Sequence, residues 1–357
     1  MEKARFKWVL RERNRKIAAK TEVFTEQQAR RVRSFHSSFK EYSPTPLIEL
    51  TSLAQHLGIK NLFVKDESYR FGLNAFKVLG GSFAIGSYIA NELGEDIDDL
   101  PYMRLVSDEV RSLLGSKTFI TTTDGNHGRG VAWTANRLKQ QAIVYMPQGS
   151  AAERLSNIRA EGAQAEITDM NYDDTVRYTS ELAQKNGWII VQDTAWDGYT
   201  RIPLWIMQGY MTMALEAYEQ LPVKPTHIFL QAGVGSLAGS VQGFFADIYG
   251  SSCPLTFIVE PKGADCLYQT AAANDGSLHS VTGRLETIMA GLACGEPNSI
   301  AWEILGNLSD GFISCPDYTA AQGMRILGNP LAGDTKVSAG ESGAATVGLV
   351  AEAMRDE

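Results

Sequence analysis

The sequence predicts an α/β fold made of two doubly wound α/β/α domains with mostly parallel sheets. Seven short apolar runs alternate with helix-length segments in which apolar residues recur every three or four positions. This alternation is typical of parallel sheets that are covered by helices on both faces. The chain has 357 residues, of which 44% are hydrophobic, and this is enough to build two cores. The runs that we interpret as strands are 62–64, 119–120, 143–146, 188–191, 228–230, 257–259 and 312–314.

Residues 74–83 place one lysine at the start of a predicted amphipathic helix. Lys77 follows the turn formed by Gly72, Leu73 and Asn74. The positive end of the helix macrodipole and partial burial both disfavour an ammonium group. We therefore expect the pKa of Lys77 to be lowered toward the neutral amine that attacks aldehydes. An isolated lysine of this kind is usually an ordinary surface residue, so its interpretation depends on the other motifs.

Two glycine-containing turns each follow a predicted strand and precede a predicted helix. The turn 121–128 has the sequence TTTDGNHG, and its backbone amides could hold a carboxylate. The turn 233–239 has the sequence GVGSLAG, an arrangement that can hold one phosphate with amides and a helix dipole. Small residues in the later segments 289–293 and 340–344 would let the backbone approach a flat ring.

Together, in this order, these motifs resemble the fold-type II pyridoxal-phosphate enzymes over nearly the whole chain. Segments 74–81, 122–130 and 191–196 look most similar to the diaminopropionate ammonia-lyase family. The resemblance implies a small domain at residues 86–204 and a large cofactor-binding domain at 1–85 and 205–357, with the cofactor in the cleft between them. It also implies a homodimer.

The resemblance implies pyridoxal 5'-phosphate as the cofactor and Lys77 as its Schiff-base lysine. Asn126 would bond the ring hydroxyl, Phe76 would lie against the ring, and the glycine turn would hold the phosphate. The remaining positions implied in cofactor binding are Gly233, Val234, Gly235, Ser236, Leu237, Gly291 and Gly343. The substrate carboxylate would bind at Thr123, Asp124 and Gly125.

Asp124 is the residue that separates the diaminopropionate enzymes from the dehydratases in this comparison. A carboxylate beside the substrate's α-carboxylate is repulsive unless a cation offsets it, and a substrate β-ammonium would do so. Unit charges about 4 Å apart at an effective dielectric near 20 interact by roughly 4 kcal/mol before desolvation, enough to prefer 2,3-diaminopropionate over serine. Asp124 could also remove the Cα proton of a D-amino acid, while Lys77 removes that of the L-isomer.

Asp193 is the second carboxylate that the resemblance assigns to catalysis. It would protonate the leaving amine or hold Asp124 in register. An Asp after a buried strand can instead simply cap the next segment. His127 is interpreted as a structural hydrogen-bonding residue and is not included among the catalytic residues.

Two other activities remain open, and one non-enzymatic role. The same cofactor apparatus would serve a serine or threonine dehydratase or a β-replacement synthase. The sequence ends at Glu357, whereas the family continues with a strand whose Ser or Thr meets the pyridine nitrogen. A truncated sequence, a substitute such as Ser342 or Thr346, or weaker cofactor binding would each explain this departure. An inactive, shortened homologue acting as a binding subunit is the third alternative.

Composition agrees with a soluble enzyme, and we expect it to be cytoplasmic. The net charge of −8 and the absence of a basic, aromatic-rich patch argue against nucleic-acid binding, and no apolar run is long enough to cross a bilayer. The four cysteines lack metal-ligand spacing, so we expect no metal site. We expect reduced, mostly buried thiols rather than a bridge between Cys266 and Cys294. The basic residues of 1–20 are interpreted as a solvated helix or an arm on a partner subunit.

Overall fold

The computed structural model describes residues 6–12 and 21–355. Strands and helices alternate along most of this part of the chain. The strands are β1 (Lys7–Leu10), β2 (Leu47–Glu49), β3 (Phe63–Lys65), β4 (Thr118–Thr122), β5 (Gln141–Met146), β6 (Gln164–Ile167), β7 (Ile189–Ile190), β8 (His227–Gln231), β9 (Leu255–Pro261) and β10 (Gly311–Cys315). The α-helices are α1 (Glu26–Ser37), α2 (Thr51–His56), α3 (Lys77–Leu93), α4 (Tyr102–Leu105), α5 (Asp108–Leu114), α6 (Asn126–Arg137), α7 (Ala152–Ala160), α8 (Tyr172–Asn186), α9 (Arg201–Gln220), α10 (Ser236–Tyr249), α11 (Cys266–Ala273), α12 (Ser299–Leu308), α13 (Asp317–Gly328) and α14 (Glu341–Ala353).

The first compact unit comprises the described residues of 1–21, 44–69 and 216–357. Its main sheet has the strand order β1-β10-β9-β8, in which β8, β9 and β10 are parallel and β1 is an antiparallel edge. Buried side chains from β9, β10 and α14, among them Val259, Ile313 and Leu349, form one of its cores. The predicted run at 62–64 is a strand, but it pairs antiparallel with β2 outside this sheet.

The second unit comprises residues 22–43 and 70–215. Its sheet has the order β6-β5-β4-β7, and every pair is parallel. The carboxyl ends of parallel strands meet at one edge of a sheet, where ligands bind in α/β proteins. The turn after β4 and the segment after β7 carry Asp124 and Asp193, so the fold brings both carboxylates to that edge. The predicted α/β class with parallel sheets is confirmed.

Helix α3 and helix α6 pack almost backbone to backbone in the second unit. A Cβ atom built on Gly130 of α6 would lie 2.8 Å from the Cα of Val78, a separation that real side chains do not reach. A Cβ built on Gly81 of α3 would lie 3.4 Å from the amide nitrogen of Val131. These glycines set the start of α3 against the first turns of α6, and this contact places Lys77 near the turn that carries Asp124.

The compact units divide the chain differently from the predicted domains. The predicted small domain at 86–204 lies wholly within the second unit, which also includes 22–43, 70–85 and 205–215. Helix α3 continues without a break through residue 86, so a boundary there would cut a packed helix. A Cβ on Gly209 of α9 would lie 2.4 Å from the carbonyl oxygen of Leu79, which ties α9 to α3.

Three of the described strands, β1, β2 and β6, lie outside the predicted runs. Lys7–Leu10 pairs antiparallel with β10, so the interpretation of this part of the basic segment as a helix or arm is wrong. The remaining predicted arm residues, 1–5 and 13–20, lie outside the described residues. Strand β6 has the polar sequence QAEI at an exposed edge, where no apolar run is needed. Within the described ranges, none of the helices is apolar and long enough to traverse a bilayer.

Candidate active site

Lys77 is the first residue of α3, as predicted. The preceding backbone turns sharply, because Gly72 and Asn74 both have positive φ, +70° and +59°. Phe76 occupies the cap position of the helix. The Lys77 side chain is 19% exposed, and its Nζ forms an ion pair with the Asp193 carboxylate. The turn therefore places the amine of Lys77 next to a largely buried carboxylate.

Asp193 follows β7 and is 4% exposed. Its Oδ2 accepts from Lys77, and its Oδ1 lies 3.4 Å from the hydroxyl of Tyr172, which in turn accepts from Gln192 Nε2 at 2.8 Å. Burial alone would raise the pKa of Asp193, but Lys77 and then His127 lower it, to about 2. Asp193 is therefore an ionised carboxylate at neutral pH.

The prediction of a lowered pKa for Lys77 is wrong for the cofactor-free protein. Burial does lower the pKa of this amine, but the charge of Asp193 and the hydrogen bond to it outweigh burial and raise the pKa well above 10.5. Sequence reasoning weighed the helix dipole and burial and did not include the carboxylate 116 positions away. In this state Lys77 is an ammonium group held by Asp193.

Asp124 lies in the turn between β4 and α6, with its side chain 20% exposed. Arg154 from the first turn of α7 places Nη1 3.0 Å from Asp124 Oδ2. Burial raises the pKa of Asp124, while Lys77 and then Arg154 oppose that rise and Asp193 adds to it. The two carboxylates are thus held by different cations, Asp193 by Lys77 and Asp124 by Arg154.

The amides predicted to bind the substrate carboxylate are partly used within the protein. Thr123 N donates to Tyr145 O at 3.0 Å, and Gly125 N donates to Thr123 Oγ1 at 2.9 Å. Gly125 has φ +156° and precedes Asn126, the first residue of α6. The first amides of a helix have no intrahelical partner, so the start of α6 adds donors to this turn.

Two buried polar atoms around Lys77 have no hydrogen-bond partner among the described residues. One is Nδ1 of His127, whose Nε2 donates to Val191 O at 2.7 Å. Burial lowers the pKa of His127, so the ring is neutral and Nδ1 is an acceptor. The other is the hydroxyl of Tyr210, whose ring packs edge-on against Phe76 with centroids 5.1 Å apart. Unpaired buried polar atoms are unfavourable, so we expect a water molecule or a ligand to bind to both.

Sequence reasoning missed three side chains of this site. Arg154, Tyr172 and Tyr210 lie on helices α7, α8 and α9, and none belongs to a motif at a strand end. Their sequence surroundings are ordinary helical patterns. Only tertiary packing brings these residues to Lys77 and the two carboxylates.

The glycine turn of the first unit joins β8 to α10. Gly235 has φ +102°, a left-handed conformation that side chains disfavour, and it caps α10, which begins at Ser236. A Cβ on Gly233 would lie 3.2 Å from Leu292 Cα and 3.5 Å from Gly291 O. The structure therefore brings together two of the segments predicted to bind cofactor. Asn298 supports the turn, since its Nδ2 donates to Ser236 Oγ and its amide to Val234 O, both at 2.8 Å.

The other predicted positions of the first unit lie near this turn or at the start of α14. Gly343 is exposed, and a Cβ there would meet nothing within 4 Å, so this glycine is not required by packing. Ser342 Oγ is buried and has no partner in the described chain, whereas Thr346 Oγ1 donates to Gly343 O at 3.4 Å. Cys266 and Cys294 are buried, as expected for most of the cysteines.

Comparison with known proteins agrees with the geometry. A model of the pyridoxal-phosphate dependent enzyme family matches residues 39–357. The diaminopropionate ammonia-lyase of Salmonella typhimurium is 53% identical over 330 residues, which cover 91% of this chain and 82% of that protein. The solved holo structure of the Escherichia coli enzyme of the same name is 49% identical, with a TM-score of 0.90, and covers 98% of this chain and 87% of its own. The same enzyme in complex with D-serine is 48% identical, with the same TM-score and coverage.

Proposed function

This chain belongs to the pyridoxal-phosphate dependent enzyme family, within it to the diaminopropionate ammonia-lyases, and we propose that it converts both D- and L-2,3-diaminopropionate to pyruvate and ammonia. Elimination of the β-amino group and hydrolysis of the remaining amine give one pyruvate and two ammonia per substrate and water. The observation that carries the proposal is the placement of two carboxylates, Asp124 and Asp193, with Lys77 at one sheet edge.

Each unit, taken by itself, contains residues that fit part of pyridoxal phosphate. In the first unit, the backbone of the turn 233–237 could bind the phosphate at the start of α10. A Cβ at Gly233 would lie close to the backbone of Leu292 and Gly291. In the second unit, Lys77 would hold the cofactor covalently, Phe76 would lie against its ring and Asn126 would bond the ring hydroxyl. The unpartnered hydroxyl of Tyr210 is a further polar group that a ligand would satisfy.

Gly291 and Gly343 would line the ring in the first unit. Ser342 is our candidate for the residue that meets the pyridine nitrogen, because its hydroxyl is buried and unpaired within the described residues. Thr346 is the weaker candidate, since its hydroxyl already bonds within α14.

The cofactor, when bound, withdraws electrons from the substrate Cα and so makes the Cα proton and the β-amino group easier to lose. The chain's own residues supply the proton transfers. Lys77 Nζ, once neutral, would remove the Cα proton of the L-isomer, and the Asp124 carboxylate would remove that of the D-isomer. The substrate carboxylate would bind at the turn Thr123 to Gly125, with donors from the first amides of α6, because Thr123 N and Gly125 N already donate within the protein.

For Asp193 the geometry favours a role that acts on Lys77. Its pKa of about 2 makes it a poor acid toward the leaving amine in the cofactor-free protein, and it contacts Lys77, Tyr172 and Gln192. We propose that Asp193 orients Lys77 and keeps a proton available on Nζ, which the leaving β-amine can then receive.

Replacing Asp124 by Asn tests this assignment. The variant should lose more turnover of the D-isomer than of the L-isomer, because both isomers lose the carboxylate that faces the β-ammonium but only the D-isomer also loses its base. A Lys77→Ala protein serves as the control that loses both. If Asp124→Asn retains the turnover of both isomers equally, Asp124 has no role in the mechanism.

We also propose that the enzyme works as a homodimer in the cytoplasm. The dimer rests on the family resemblance. The compartment is supported by cysteines that are mostly buried and keep no disulfide-scaffold spacing. Sedimentation equilibrium of the cofactor-loaded protein tests the dimer, and a monomer over the assay's concentration range would contradict it.

A further inference from the structure

We propose that Arg154 is the positioning residue that prepares Asp124 for the D-isomer half of the reaction. This inference rests on the proposed function and extends it to a residue on a different helix. Arg154 Nη1 lies 3.0 Å from Asp124 Oδ2 and 3.3 Å from the backbone oxygen of the same residue. One guanidinium nitrogen therefore fixes both the carboxylate and the turn that carries it.

The stem of Arg154 also shapes the turn. A Cβ built on Gly125 would lie 3.0 Å from Arg154 Cδ and 3.5 Å from both its Cβ and Cγ. Gly125 has φ +156° and ψ −70°, a conformation open mainly to glycine. The arginine stem thus covers the backbone of the turn while its head binds the carboxylate, so the pair forms a built contact rather than an incidental surface ion pair.

The position of Arg154 in its helix argues against a role in helix stability. It lies in the first turn of α7, where a cation faces the positive end of the helix macrodipole and is disfavoured. The cap residue Ala151 offers no side-chain hydrogen bond to offset this. The interaction that compensates is the one with Asp124, which belongs to the turn before α6.

The charges around Asp124 show why a cation is needed there. Burial and, to a lesser extent, Asp193 raise the pKa of Asp124, while Lys77 and then Arg154 lower it, and the net pKa lies above its ordinary value. Lys77 is already paired with Asp193, and it must lose its proton to act as a base. Arg154 cannot lose its charge in this way, so it still favours the ionised form of Asp124 before the proton transfer, when Lys77 is neutral.

The test compares Arg154→Gln with wild type, both loaded with pyridoxal phosphate, on each enantiomer across pH. For the D-isomer, the acid limb of kcat/KM should move up by about one pH unit or more, since an adjacent opposite charge lowers a carboxyl pKa by that amount. At a fixed pH on that limb, kcat/KM for the D-isomer should fall on the order of tenfold for each pH unit by which the limb moves. The profile for the L-isomer should keep its position, and Arg154→Lys should restore part of the D-isomer rate.

Arg137→Gln is the matched control, because Arg137 Nη2 lies 3.0 Å from Glu41 Oε1 in the same unit and at the opposite end of α6. It should leave both pH profiles in place. A readout without turnover is the melting temperature of the cofactor-free protein. Arg154→Gln should lower it clearly in the wild-type background and much less in an Asp124→Asn background.

Each result has a definite meaning. If Arg154→Gln lowers kcat/KM equally for both isomers without moving either pH profile, Arg154 has only a structural role and the inference is overturned. An unchanged pH profile for the D-isomer would also overturn it. Failure of the wild-type enzyme on both isomers would instead overturn the proposed function. Additive melting shifts for Arg154→Gln and Asp124→Asn would show that the ion pair does not couple them, which also contradicts the inference.

Discussion

Replacing Asp193 by Asn should destabilise the cofactor-free protein by about 2.4 kcal/mol at pH 7. The carboxylate is 4% exposed, and the Lys77 ammonium holds its pKa at about 2 instead of 3.8. At about 1.36 kcal/mol per pH unit, that displacement corresponds to the stated energy. Lys77 and Asp193 form one ion pair, so the raised pKa of Lys77 reports the same interaction. We therefore add no second energy for Lys77.

The sign of the pH dependence follows from the two pKa directions. Asp193 has a depressed pKa, so its contribution is complete above pH 3.8 and is lost as the pH falls from there through about 2. Lys77 has a raised pKa, so its contribution is complete below 10.5 and is lost as the pH rises above that value. Between these limits the difference between wild type and Asp193→Asn should be constant.

Urea unfolding of the cofactor-free proteins measures this difference. The set should contain wild type, Asp193→Asn, Lys77→Met and the double variant, because the coupling between the two sites isolates the ion pair. We expect the loss caused by Asp193→Asn to be much smaller when Lys77 is already Met. A loss below about 0.5 kcal/mol, or the same loss in both backgrounds, would refute the assignment of a buried ion pair, whose disruption ordinarily costs more.

Three further changes have predicted outcomes. Gly233→Ala should weaken pyridoxal phosphate binding in an absorbance titration, because its Cβ would lie 3.2 Å from Leu292 Cα, and unchanged affinity would remove the turn from the cofactor site. Tyr210→Phe should stabilise the cofactor-free protein by about 1 kcal/mol in urea, because a buried hydroxyl with no described partner is lost, and destabilisation would show that the hydroxyl is paired. Ser342→Ala should weaken cofactor binding more than Thr346→Ala in the same titration, and the reverse order would exchange their roles.

Much of the fold follows from local patterns in the sequence. The buried strands β4, β5, β8, β9 and β10 are apolar enough to be recognised directly, and each lies where a run was predicted. Strand β6 escapes this reasoning because its sequence QAEI is polar, and β1 escapes it because its three apolar residues lie in a basic segment that was interpreted as a helix or arm. The division into compact units depends on how α3 and α9 pack, and glycine contacts such as Gly209 on Leu79 are invisible in a linear pattern.

The site could be predicted only as far as its residues belong to motifs at strand ends. Lys77 follows the turn that contains Gly72, Asp124 lies in the glycine turn after β4, and Asp193 lies just after β7. The pKa of Lys77 was predicted in the wrong direction because its partner is remote in sequence. Arg154 and Tyr210 come from helices that carry no local signal, so the structure is needed to associate them with the site.

The most direct test of the proposed function is the rate of pyruvate formation by the wild-type protein loaded with pyridoxal phosphate. D- and L-2,3-diaminopropionate, D-serine and L-threonine should each be supplied alone, with pyruvate or 2-oxobutyrate followed by a coupled dehydrogenase. We predict fast pyruvate formation from both enantiomers of diaminopropionate and slower turnover of the hydroxy amino acids. Turnover of serine or threonine alone would indicate a dehydratase. No product from any of them, with the cofactor bound, would contradict the assignment of an active ammonia-lyase.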